Sequence, residues 1–118
     1  MSVPPWLQEQ LARYEQIQQN LQAILSQRQQ VEAELMEVEK ALEELRKAPE
    51  DTVVYKFAGT IMLKADRNRL IKELEEKKEL ANTRIMVLKK QEERLRANLQ
   101  EIQNKINEAL KKEKKEAG

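Results

Sequence analysis

Neither cysteine nor histidine occurs anywhere in the 118 residues. Their absence excludes disulfides, thiolate chemistry, cysteine-based metal sites and the commonest general base and metal ligand. Glycine appears twice and proline three times, and beside Trp6 the only aromatics are Tyr14, Tyr55 and Phe57. A chain with so little bulk and so few turn residues cannot enclose a globular core of its own. An enzyme is therefore not expected, and association with other chains is. No apolar run approaches the ~20 residues of a membrane span, and MSVPPWLQEQ lacks the basic and apolar regions of a signal peptide. A cytoplasmic protein with no membrane association is the expectation. The 22 basic and 21 acidic residues spread along the whole length and leave a net charge of +1. With no continuous basic face, no nucleic-acid partner is implied. With no glycine-rich phosphate loop and no carboxylate cluster, neither a cofactor nor a metal is expected.

What the sequence does contain is heptad order. After the prolines of VPP, a helix is expected from Leu7 to about Arg46. From Ile17 the apolar positions alternate in steps of four and three through Leu21, Ile24, Arg28, Val31, Leu35, Val38, Leu42 and Leu45, with Arg28 the one polar member. Leu7, Leu11 and Tyr14 continue the stripe one residue out of phase, which calls for a local adjustment of the supercoil. Pro49 in KAPED stops this helix, and Asp66 suits the N-cap of a second, 66–112, with 113–118 a disordered tail. The second stripe runs Ile71, Leu74, Lys78, Ala81, Ile85, Leu88, Glu92, Leu95, Leu99, Ile102, Ile106 and Ala109. Two stripes of this regularity are coiled-coil seams. At 1.5 Å per residue the two helices measure roughly 60 and 69 Å, so a chain reversal between them would let one seam cover the other.

Residues 52–65 break the pattern with strand-forming side chains around Gly59, and they predict a β-hairpin. Val53, Tyr55 and Phe57 fall on one face and Val54 and Ala58 on the other, with Ile61 and Leu63 following. A two-stranded hairpin is marginal alone, and one that is apolar on both faces calls for further strands from other chains. The simpler alternative is a connector packed on the base of its own coil.

The order of coiled-coil helix, PEDTVVYKFAGTIMLK hairpin and coiled-coil helix resembles prefoldin, and within it the β-type subunit of archaeal prefoldin. VYKFAGTIMLK carries the specific part of the likeness, which extends from Leu7 to about Lys112. The resemblance implies a single mainly α domain, an antiparallel two-helix coiled coil whose central hairpin joins an intersubunit β-barrel. It implies a hetero-hexamer of two α-type and four β-type subunits, in which Val53, Val54, Tyr55, Phe57, Ile61 and Leu63 serve oligomerisation. It also implies an ATP-independent holdase that captures unfolded proteins at the coil tips and hands them to a group II chaperonin.

With the hairpin as base, the tips are SVPPWLQEQL and INEALKKEKKEAG. Val3, Trp6, Leu7 and Leu11 on one side, and Ile102, Ile106 and Leu110 on the other, are the candidate residues for unfolded protein. At the end of a coil no further turn covers the last seam residues, and the flanking prolines and charged tail favour fraying. Trp6 packed on Leu110 as a simple cap is the competing reading. For the whole chain, the alternative from another class is a structural scaffold or a filament-forming relative in which the hairpins drive self-association.

Overall fold

The structure, a computed structural model, describes residues 3–117. Its elements are α1 (Pro5–Lys47), β1 (Val54–Ala58), β2 (Ile61–Ala65) and α2 (Arg67–Ala117). By internal contact the chain divides into two compact units. One holds residues up to Arg28 together with those from Val87 onward, and the other holds Gln29–Met86 with the hairpin. No helix among the described residues is long and apolar enough to cross a membrane.

Both helices are longer than the sequence predicts, for local reasons. α1 starts at Pro5 and not at Leu7, with the Pro4 carbonyl accepting from the amides of Leu7 and Gln8 at 3.0 Å each. Proline is favoured at the first helical position, where its fixed φ suits the helix and its missing N–H is not needed. At the other end, the expectation of disorder for 113–118 is overturned through Ala117, which α2 reaches; Gly118 lies outside the described residues. Lysine and glutamate are good helix formers, no proline or glycine intervenes, and Lys114 and Lys115 in the last turn complement the helix dipole.

Asp66 caps α2 as predicted, its carboxylate accepting from the Arg69 amide at 2.9 Å. In the hairpin, Ala58 pairs with Ile61 and leaves Gly59 and Thr60 as a two-residue loop. Gly59 has φ 65° and no other described residue has positive φ, the pattern of a type II′ turn, whose twist matches that of the strands it joins.

The core consists of seams. In the unit of the chain ends, the buried side chains are Leu21, Leu88 and Ile102; in the hairpin unit they are Val31, Leu42, Ala81 and Ile85. All seven stand on the predicted stripes, so the 3.5-residue period located the packing face of each helix. In the unit of the chain ends, Arg28 and Glu92, the polar members of their stripes, meet at 3.1 Å, and Arg96 also reaches Glu92 at 3.1 Å. The Tyr14 hydroxyl donates to Gln103 Oε1 at 3.4 Å. Pairing an earlier residue of α1 with a later one of α2 makes the helices of this unit antiparallel.

Candidate functional site

The hairpin register sorts its side chains into two faces. Pairs Tyr55–Lys64 and Phe57–Met62 share one, and Val54–Ala65, Lys56–Leu63 and Ala58–Ile61 share the other. Lys56 extends from the second face to Glu73 of α2, Nζ to Oε2 3.5 Å, so that face is the one turned toward the helix. Phe57, on the first, is 75% exposed, and Val53, Tyr55, Ile61, Met62 and Leu63 are each about half exposed or more. Val54 is half-buried. A sheet of two strands has two unpaired backbone edges, and here it adds large apolar side chains on both faces. Such a surface is suited to burial against further strands and can do little chemistry.

Met62 was not among the predicted assembly residues, yet it lies directly across from Phe57 and is as exposed as Ile61. A two-residue loop at Gly59 and Thr60 fixes this pairing, so the signal was present in the turn. Arg67 was also missed. Its Nη2 donates to the Leu45 carbonyl at 2.7 Å and to that of Ala48 at 3.4 Å, bridging the start of α2 to the end of α1 within the hairpin unit.

In the unit of the chain ends, Val3, Trp6, Leu11 and Leu110 are exposed, Trp6 by 39%. Leu7 and Ile106 are half-buried. Ile102 is buried, 8% exposed, and contributes to the floor of a groove. The residues predicted for the tip therefore split into an accessible set and a seam set. Val3 precedes α1, and its carbonyl accepts from Gln8 Nε2 at 3.0 Å, which ties the segment before the helix onto the first turn.

A family model described as "Prefoldin subunit" matches residues 8–113. The prefoldin subunit beta of Archaeoglobus fulgidus is 46% identical over 108 residues, covering 92% of this chain and 93% of the relative. That of Thermococcus onnurineus is 42% identical over 110 residues, covering 93% and 95%. Among solved structures, the prefoldin beta subunit from Thermococcus strain KS-1 matches with a TM-score of 0.85 at 39% identity, covering 92% of this chain and 96% of that one.

Proposed function

Because the chain belongs to the prefoldin subunit family, a family of non-enzymatic chaperones, we propose that it is an ATP-independent holdase subunit that captures unfolded proteins at the ends of its helices. In this reading the hairpin assembles it with α-type partners, as a hetero-hexamer of two α-type and four β-type subunits, or with further copies of itself. The assembly works in the cytoplasm and hands its clients to a group II chaperonin. The observation that carries the reading is the exposed apolar set Val3, Trp6, Leu11 and Leu110, which lies in the unit that does not contain the hairpin. Each contact that set offers is small, so capture depends on several subunits holding one client at once.

The test is aggregation of a chemically unfolded protein in the absence of nucleotide, with the chain alone and mixed with an α-type partner. Trp6→Gln, Leu11→Gln and Leu110→Gln combined should abolish protection while leaving the assembly mass unchanged. Full protection by the triple variant would move the client surface elsewhere. If the intact assembly protects no client, the holdase reading gives way to the scaffold or filament reading.

A further inference from the structure

Two grooves in the unit of the chain ends are related by the heptad. The first, about 360 Å³, is lined by Asn20, Ala23, Ile24, Gln91, Arg94 and Leu95. Moving back seven residues along α1 and forward seven along α2 converts these into Arg13, Gln16, Ile17, Asn98, Glu101 and Ile102, all of which line the second, about 370 Å³. In an antiparallel pair those two shifts run in the same direction, so the grooves repeat one after the other along one flank. Each has an aliphatic floor made by one seam residue from each helix, Ile24 with Leu95 and Ile17 with Ile102. Each also has amide walls, Asn20 and Gln91 in the first and Gln16 and Asn98 in the second.

We infer that the two grooves together form a binding site for an extended polypeptide segment that carries aliphatic side chains three residues apart. This rests on the holdase reading and specifies the client feature that is read. The floors are one heptad apart, ~10.5 Å along the helix. Polyproline II, a major conformer of unfolded chains, brings residues i and i+3 to the same side at a spacing of ~9.3 Å. A β-strand alternates its faces, so its i and i+3 side chains point apart. Amide side chains offer both donor and acceptor, which suits a backbone whose N–H and C=O groups have no partners of their own. Charge complements the same occupant: among the described residues Arg94 is the only charged one lining the first groove, and Arg13, Glu101 and Lys105 line the second, so the two together are net positive and favour segments that are neutral or acidic between the aliphatic positions.

The probe is a set of fluorescein-labelled Ser/Gln peptides, each with two leucines, whose binding to the full chain in its assembly is read by anisotropy. Leucines at i and i+3 should bind about tenfold more tightly than leucines at i and i+2, since the second side chain then misses its floor. Lysine between the leucines should weaken binding, and Arg94→Glu should reverse that preference. Ala23→Phe, at an exposed position of α1, fills the first groove and should remove the advantage of i and i+3 spacing, with helix content by circular dichroism unchanged. Equal binding by all spacings, tighter binding of a helical peptide with leucines at i and i+7, no binding at all, or indifference to Ala23→Phe would each overturn the inference. Protection of a whole client by the intact assembly is measured in parallel. If protection persists while the peptide preferences are absent, the grooves alone lose their role and the holdase reading stands.

Discussion

At Arg67 a guanidinium replaces a backbone donor that the sequence withholds. The Leu45 carbonyl would ordinarily accept from the amide four residues on, but that residue is Pro49, which has no N–H. Arg67 Nη2 takes the place at 2.7 Å in a partly buried setting. Arg67→Met should leave this carbonyl unpaired and cost about 1–2 kcal/mol, measured by urea denaturation, with little change in helix content. Gly59 raises a different question, because a Cβ added there meets nothing within 4 Å. The cost of Gly59→Ala is therefore conformational, about 1–2 kcal/mol for an alanine forced to positive φ, read by urea denaturation. Gly59 and Asp66 were legible in the sequence, since each acts through its own neighbours in the chain. Arg67 was not, because its partner at Leu45 is 22 residues away and no local pattern marks such a pair.

For the helices, periodicity carried nearly all the information. A stripe repeated over many heptads outweighs single exceptions, so Arg28 and Glu92 did not obscure it, although their meeting across the seam could not be read from either helix alone. The sequence was less informative at the helix ends, where Pro5 and the lysine-rich terminus depend on one turn each. Burial along the stripe predicts a gradient of cost. Leu42, 2% exposed, should lose about 3–5 kcal/mol on truncation to alanine, and the half-buried Leu99 about half that, measured by chemical denaturation. The Arg28–Glu92 pair, with side chains 24% and 14% exposed, is partly desolvated, so removing one member forfeits a charge-assisted contact made largely out of water. Glu92→Leu should destabilise by about 1–3 kcal/mol, while Arg28→Leu together with Glu92→Leu should recover most of the loss. Additive losses in that double-mutant cycle would mean that the two charges do not interact.

Phe57, 75% exposed, and Met62, 57% exposed, are large apolar side chains left in water, which fits a protein completed by association, as composition alone had implied. Phe57→Asp with Met62→Asp should therefore reduce the assembly to monomers while helix content is retained, measured by light scattering and circular dichroism. An unchanged mass would remove the Phe57 face from assembly and leave the Val54 face as the candidate. Association also ties stability to amount: the melting temperature of the unaltered chain should rise with its concentration, which calorimetry over a dilution series would show.

The bare hairpin has a consequence for how much of this protein a cell can make. A subunit synthesised in excess of its partners keeps Tyr55, Phe57 and Met62 in water, beside two unpaired strand edges. That is the kind of surface by which misfolded proteins stick to one another. Surplus copies are thus aggregation-prone in their own right, and balanced synthesis of the subunits is as much a condition of their solubility as the sequence is. Among the first polypeptides in need of a holdase would be an unassembled copy of this chain.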